Sequence, residues 1–269
     1  MTIPRMHLFE FEDQSWFPGR LRDFMTDYLR FVMTKLKIYR HTVPILAKAI
    51  RHSGSSKIVD LCSGGSGPVR PLLAELADQG LPVRITLTDR YPNVAAFERV
   101  TEASAGAADY VRAPIDARAV PPTLEGFRTF HNSFHHFEPA DARAILLDAA
   151  SANQPIGIFE WPSRTLGRIV PLVLVPLAVL VFTPFLRPRR LDRFLWTYLI
   201  PVVPLAVFWD GLVSHLRAYT MAELRTFAEA VEAGHYVWEI GESRVQSVPG
   251  KVTYLVGYPA PPEIFPPMA

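Results

Sequence analysis

The chain has 269 residues, a length that fits one large domain or one domain with an insertion. Apolar residues make up 49% of it and charged residues 20%, which excludes an intrinsically disordered chain. A formal net charge of +2 argues against a general nucleic-acid-binding protein. The single cysteine, Cys62, excludes a disulfide framework and indicates a reducing compartment. The first thirteen residues lack the apolar run of a signal peptide, so we expect a cytoplasmic protein.

The order of the predicted elements indicates an α/β fold. Residues 17–52 predict one long helical region, because apolar side chains recur there at three- and four-residue spacing. Between residues 57 and 162, short β-branched runs alternate with helical runs, which is typical of a parallel sheet with helices on both faces. A capping box at Thr220 and Glu223 then starts another helix. Two strands joined at Pro249-Gly250 follow it and predict an antiparallel end to the sheet.

A long apolar stretch interrupts this alternation. Residues 169–186 contain only apolar side chains, Thr183 and three prolines, and residues 194–209 form a second apolar arm. Four arginines lie between the two arms: Arg187, Arg189, Arg190 and Arg193. We therefore predict an N-terminal helical lid (1–55), a core (56–162), an apolar basic insertion (163–219) and a C-terminal completion of the core (220–269). The proline-rich tail after residue 259 is not expected to be helical.

The most informative motif is a strand that runs into a glycine-rich turn, Ile58-Val-Asp-Leu-Cys-Ser-Gly-Gly-Ser-Gly-Pro68. Acidic residues follow the next two strands, at Asp89 and Asp116, and the run His131-Asn-Ser-Phe-His-His-Phe137 follows the fourth. An acid after the second strand can hold the hydroxyls of a ribose. This set resembles the class I S-adenosylmethionine-dependent methyltransferases, in a form with a hydrophobic, proline-rich insertion.

The resemblance covers residues 57–162 and implies a Rossmann-like fold that binds S-adenosylmethionine. By position, the glycine-rich turn would hold the methionine part, Asp89 the ribose and Asp116 the adenine amine. Cys62 and Ser66 stand where the family has two of its glycines. The cofactor-binding residues that the resemblance implies are Asp60, Cys62, Ser63, Gly64, Gly65, Gly67, Asp89, Arg90, Asp116, Ala117, His131 and Asn132.

Four residues are candidates for the chemistry of methyl transfer: His136, Glu160, Asp210 and Tyr219. Glu160 ends a predicted strand at the edge where α/β proteins bind ligands, and the segment 210–219 returns from the insertion. We expect the four side chains to approach one apolar chamber. The alternatives are structural roles, including pairs of Glu160 with Arg164 and of Asp210 with Arg217. We expect no metal site, because the histidines lack cysteine partners and a helical face.

The insertion has three alternative roles. A membrane-spanning hairpin would carry its arginines across the membrane, against the positive-inside tendency. Arms lying on the cytoplasmic leaflet would instead place the arginines on anionic headgroups, and could also form a lid over a greasy substrate. A homo-oligomer interface is the remaining role.

These patterns favour methyl transfer to a small hydrophobic or lipid-like acceptor near the cytoplasmic face of the membrane. One alternative is methylation of a soluble small molecule, with the insertion as the oligomer interface. Another is a non-catalytic, membrane-associated scaffold that binds the cofactor. Nucleic-acid methylation is disfavoured, because no basic stripe with interleaved aromatic residues lies outside the insertion.

Overall fold

The computed structural model describes residues 2–231 and 236–260, and the described residues contain one seven-stranded sheet. The order across the sheet is β3-β2-β1-β4-β5-β7-β6, and the first five of these are parallel. β7 is antiparallel to β5 and to β6, which confirms the predicted antiparallel C-terminal strands. The proline-rich tail lies mostly outside the described residues. The strands are β1 (Lys57–Leu61), β2 (Arg84–Leu87), β3 (Ala108–Tyr110), β4 (Phe127–His131), β5 (Ile156–Glu160), β6 (Tyr236–Arg244) and β7 (Lys251–Pro259).

Helices cover both faces of this sheet, as the alternating pattern predicts. One apolar cluster packs α2, α3 and α4 against one face, and a second packs α5 and α10 against the other. The predicted capping box at Thr220 and Glu223 starts α10. The helices are α1 (Gly19–Lys35), α2 (Val43–Ser53), α3 (Val69–Asp78), α4 (Val94–Glu102), α5 (Pro139–Ser151), α6 (Leu166–Ile169), α7 (Val175–Phe182), α8 (Leu191–Phe194), α9 (Val202–Arg217) and α10 (Met221–Glu229).

The prediction of one helix over residues 17–52 is wrong, because the chain turns between α1 and α2. Lys37 adopts a left-handed backbone with φ of 48°, which no continuous α-helix allows. The next two side chains, Ile38 and Tyr39, are buried in the cluster beneath the sheet. The burial of these two side chains turns the chain away from the axis of α1. The sequence did not show this turn, because the spacing of apolar residues is the same before and after it.

The insertion folds into two helical arms that pack on α1. The proline-containing first arm consists of α6, a 3-10 segment (Val170–Leu174), α7 and a second 3-10 turn (Thr183–Phe185). A sharp bend of 75° separates residues 191–199 from α9. A third apolar cluster joins α1, α7 and α9 through residues such as Phe24, Val179 and Val207. Within the described ranges, residues 166–185 form the one straight helical segment that is long and apolar enough to cross a membrane, and 11% of its most apolar window is buried.

The side of the insertion that faces away from α1 is apolar and exposed. The exposed fractions of its side chains lie between 41% and 90%. An exposed apolar patch of this kind is typical of a surface that contacts a membrane, a ligand or another protein. We call this set the outer apolar surface: Val170, Val173, Leu174, Leu177, Val181, Phe185, Leu191, Leu195, Leu199 and Leu205.

Of the four arginines between the arms, two are held by contacts within the protein. Arg193 is 1% exposed and forms an ion pair with the buried Asp27 of α1. Arg190 pairs with Asp192 and lies over the ring of Phe24. Arg187 and Arg189 are exposed and remain available to a charged surface.

The N-terminal segment, residues 2–18, runs between the insertion and the core. Its backbone pairs with Arg164 at Ile3 and with Leu216 at Met6. Asp210 of α9 accepts hydrogen bonds from the amides of Phe11 and Glu12, at 2.8 and 3.1 Å. The segment, α1 and the insertion therefore form one cap beside the carboxyl ends of the strands.

Candidate active site

A cavity of about 530 Å³ lies under this cap, at the carboxyl ends of β1, β2 and β4. The strand order reverses between β1 and β4, and such a switch point is where α/β sheets bind ligands. The volume of the cavity is within the usual range for small-molecule sites. All twelve residues predicted to bind the cofactor line this one cavity.

Asp60 anchors the glycine-rich turn at the floor of the cavity. Its carboxylate is buried and accepts hydrogen bonds from the hydroxyls of Ser63 and Thr129, at 2.7 and 2.8 Å. The Nδ1 atom of His131 lies 3.2 Å from the same carboxylate. These contacts tie β1 to β4 and fix the side of the cavity where the resemblance places the methionine part.

The two residues that replace family glycines adopt backbone conformations that favour glycine. Cys62 has a φ of 57° and Ser66 a φ of 60°, both in the left-handed region. The neighbouring Gly65 is needed for a different reason, since a Cβ there would lie 2.8 Å from the backbone oxygen of Thr26. The turn therefore keeps the backbone geometry of a glycine loop, with conformational strain at Cys62 and Ser66. Helix α1 packs directly on this turn at Gly65.

This strain predicts that Ser66→Gly stabilises the protein by about 0.5–1 kcal/mol. The substitution removes a left-handed penalty of about 1–2 kcal/mol, and the added freedom of the unfolded chain offsets part of that gain. The urea midpoint measures the change. As a control, Ser56→Gly, at an exposed position without a left-handed φ, should be slightly destabilising. Equal shifts in the two variants would contradict the strain at Ser66.

Asp89 and Asp116 both line the cavity, but their pKa values are shifted in opposite directions. Burial raises the pKa of Asp89, although the amides of Tyr91 and Gly64 donate to its carboxylate at 2.7 and 2.8 Å. Hydrogen bonds from Arg118 lower the pKa of Asp116 to about 2. Asp116 is therefore already paired, whereas the partly buried Asp89 carboxylate gains most from further hydroxyl donors.

The donor set of the cavity fits S-adenosylmethionine. This molecule presents ribose hydroxyls, an ammonium, an adenine amine and a sulfonium, all of which suit carboxylate partners. Asp60, Asp89 and Asp116 line the cavity and belong to, or follow, the neighbouring strands β1, β2 and β3, which matches the order of the methionine, ribose and adenine parts in the resemblance. Ala117 is buried beside Asp116, and Ile115 lines the same end.

His136 lies in the cavity wall and is held by two carboxylates of the N-terminal segment. Its Nδ1 atom is 2.8 Å from Asp13 and 3.4 Å from the buried Glu10. Burial alone would lower the pKa of His136, but the charges of Glu10 and Asp13 raise it to about 10. His136 is thus an imidazolium at neutral pH, a hydrogen-bond donor and not a proton acceptor.

The structure corrects the prediction that Glu160, Asp210 and Tyr219 line the site. Glu160 is buried, where it accepts hydrogen bonds from His135 and from the amides of Ser133 and Phe134. Burial would raise the pKa of Glu160, but its partners, His135 first, lower it.

Asp210 and Tyr219 also form hydrogen bonds to the backbone. Asp210 holds the N-terminal segment, and burial raises its pKa to about 7. Tyr219 donates to the carbonyl of Phe137 at 2.7 Å, and the guanidinium of Arg5 lies over its ring. None of these three is among the described residues that line the cavity, because each is used to fix backbone. The alternative Asp210–Arg217 pair is not formed either, since Arg217 binds Asp13.

One group of side chains beside the cavity has the geometry for a metal ion. The ligand atoms of Glu10, His135 and His136 lie within 4.8 Å of one another. The Arg217 guanidinium is 3.4 Å from Glu10 and already balances its charge. A metal ion would have to compete with this cation, so we retain the prediction of a site without metal.

The sequence predicted an N-terminal lid but did not indicate which of its side chains line the cavity. The N-terminal segment and α1 contribute a set of charged and apolar side chains to the lining: His7, Glu12, Asp13, Arg22, Asp23, Arg30 and Met33. The acidic run Glu10-Phe-Glu-Asp13, next to exposed aromatic residues, is the one signal in the sequence that could have indicated this contribution.

Comparison with known proteins identifies the fold. No protein-family model matches the sequence, and no curated protein matches it. The plantazolicin methyltransferase BpumL in complex with SAH is similar in structure, with a TM-score of 0.50 and 11% identity over 90% of this chain and 88% of that chain. The apo methyltransferase SibL gives a TM-score of 0.48 and 13% identity, and covers 83% of this chain.

The mitomycin 7-O-methyltransferase MmcR gives a TM-score of 0.47 and 16% identity, and covers 83% of this chain. This chain spans only about half the length of two of these structures, 55% of SibL and 54% of MmcR. Together with the strand order, the similarity to BpumL shows that this chain has the Rossmann-like fold of the class I methyltransferases.

Proposed function

We propose that this protein transfers a methyl group from S-adenosylmethionine to a hydrophobic or lipid-like acceptor at a membrane surface. One observation carries the proposal: the residues that the methyltransferase resemblance assigns to the donor all line one cavity at the switch point of the sheet. The outer apolar surface of the cap supports the choice of a hydrophobic acceptor and of a membrane surface.

S-adenosylmethionine supplies a methyl group on a positively charged sulfur. The task of the protein is to hold donor and acceptor in line in a site that excludes water. Asp60, Asp89 and Asp116 would hold the donor, and the cap would close the site. Because His136 is an imidazolium, it suits an acceptor that carries an ionised oxygen, which needs no base, better than one that must lose a proton.

A transfer assay with methyl-labelled S-adenosylmethionine tests the function. Incubation with a total membrane lipid extract is expected to move label into the organic-soluble fraction, and Asp89→Ala should abolish most of this transfer. Label that stays in a water-soluble product would favour a soluble acceptor. A protein that neither transfers label nor binds S-adenosylhomocysteine in calorimetry would contradict the proposal.

We also predict that Arg187 and Arg189 contribute to binding of anionic vesicles. Replacing both by Gln should weaken binding by about 1 kcal/mol per charge, or about thirtyfold in total, at low salt. The matched control is the pair Arg70→Gln and Arg84→Gln, which removes the same charge from exposed positions outside the insertion.

Sedimentation with phosphatidylglycerol vesicles measures this effect. If the control pair loses as much affinity as the insertion pair, net charge alone drives binding. If wild type ignores the vesicles and is an oligomer in solution, the outer apolar surface is a subunit interface and the membrane part of the proposal is wrong.

A further inference from the structure

An apolar groove of about 450 Å³ lies beside the cavity, between the N-terminal segment and α9. Phe11 and Phe17 line one side of it, and Leu205, Phe208 and Trp209 line the other. Every side chain in its lining is apolar, so the groove offers no polar side chain to orient a polar molecule. Its volume is that of a ligand site, and its chemistry suits a hydrocarbon chain.

The groove and the cavity meet at Phe9, which lines both. The indole Nε1 of Trp209 donates to the carbonyl of Phe9 at 3.0 Å, and the two rings lie 5.4 Å apart. Arg217 donates to the neighbouring carbonyl of Leu8 at 2.7 Å and pairs with Asp13, the partner of His136. The groove therefore borders the cavity near the wall that carries His136.

The groove also meets the outer apolar surface. Leu205 lines the groove, is 58% exposed and belongs to that surface. Exposed apolar residues, an apolar groove and a polar cavity thus follow one another across the cap. A molecule with a hydrocarbon chain and a polar end would match this order.

We propose that the groove binds the hydrocarbon chain of a single-chain amphiphilic acceptor, whose polar end enters the cavity beside His136. This inference rests on the proposed function and names its substrate class. The groove and the cavity share a single lining residue, Phe9, and we assign one hydrocarbon chain to the groove.

Fluorescence quenching by dibromostearate tests the groove, because bromine quenches a tryptophan that it touches. Trp209 lines the groove, so saturable quenching should occur in wild type and be largely lost in Trp209→Phe. Leu205→Glu should weaken dibromostearate binding by about tenfold or more, because it introduces a carboxylate into an apolar site.

Two matched variants separate the groove from general partitioning. Leu174→Glu alters the outer apolar surface away from the groove lining, and Leu147→Glu alters an exposed position on α5. Both should bind dibromostearate as wild type does. Equal loss in Leu205→Glu and Leu174→Glu would show partitioning onto the outer surface, and unchanged binding by Leu205→Glu would exclude the groove; either result overturns the inference.

Calorimetry with S-adenosylhomocysteine keeps the two proposals distinguishable. All four variants should bind it as wild type does, which also shows that they fold. Saturable dibromostearate binding without any S-adenosylhomocysteine binding would contradict the methyltransferase function and leave the groove as a lipid site. The reverse result would contradict the groove alone.

Discussion

Asp27→Ala is expected to destabilise the protein by about 3–5 kcal/mol, the usual cost of removing one partner of a buried ion pair. Asp27 and Arg193 are 4% and 1% exposed and join α1 to the insertion. Without the carboxylate, Arg193 keeps only one hydrogen bond of its guanidinium, to the carbonyl of Pro188 at 2.9 Å. The remaining positive charge would then be buried without its ion-pair partner.

Urea unfolding followed by circular dichroism measures this change, with Asp78→Ala as a control at an exposed position of α3. The control should shift stability by less than about 0.5 kcal/mol, the usual range for a surface substitution. A small effect of Asp27→Ala, similar to the control, would show that the insertion is not docked on α1 in solution.

The donor half of the site could be predicted because it is local in sequence. Asp60, Asp89 and His131 lie at or just after the ends of strands that short apolar runs mark, and parallel strands bring their carboxyl ends to one edge. The departure from the glycine pattern was visible too, at Cys62 and Ser66. Their backbone geometry shows that the turn accepts strain instead of changing its shape.

A lid was predicted from the N-terminal helical region and the insertion, but its contacts were not, because they join residues that are far apart in sequence. Asp210 binds the amide of Phe11, and Arg193 pairs with Asp27, across separations of 199 and 166 residues. The periodicity of apolar residues indicates which side chains of an element face the core. It does not indicate which buried carboxylate accepts a hydrogen bond from which backbone amide. A carboxylate near a strand end, such as Glu160, therefore has the same sequence signature whether it binds substrate or holds a loop.

The same reasoning explains the state of His136. Its position after β4 follows from the local pattern, and that pattern places it in the cavity wall. Its charge depends on Glu10 and Asp13, which reach it from the N-terminal segment more than 120 residues away. Sequence alone therefore suggested a residue for the chemistry, whereas the structure places two carboxylates against it, which raise its pKa and make it a hydrogen-bond donor.

Asp89→Ala is expected to weaken binding of S-adenosylhomocysteine by about 1.5–3 kcal/mol, the range for hydrogen bonds to a charged group. The partly buried Asp89 carboxylate lines the cavity, and desolvation raises its pKa, so hydroxyl donors from a ligand would stabilise its ionised form. Asp116→Ala should have a smaller effect, because Arg118 already pairs with that more exposed carboxylate.

Isothermal calorimetry on the two variants, with Asp109→Ala at an exposed position of β3 as the control, tests this order. Because Asp89 also accepts from the amides of Gly64 and Tyr91, alanine could loosen the turn as well. Asp89→Asn separates the two effects, since it keeps an acceptor oxygen but removes the charge, and we expect its loss to lie between wild type and Asp89→Ala. If Asp89→Ala folds and binds S-adenosylhomocysteine as tightly as the Asp109 control, Asp89 does not hold the donor.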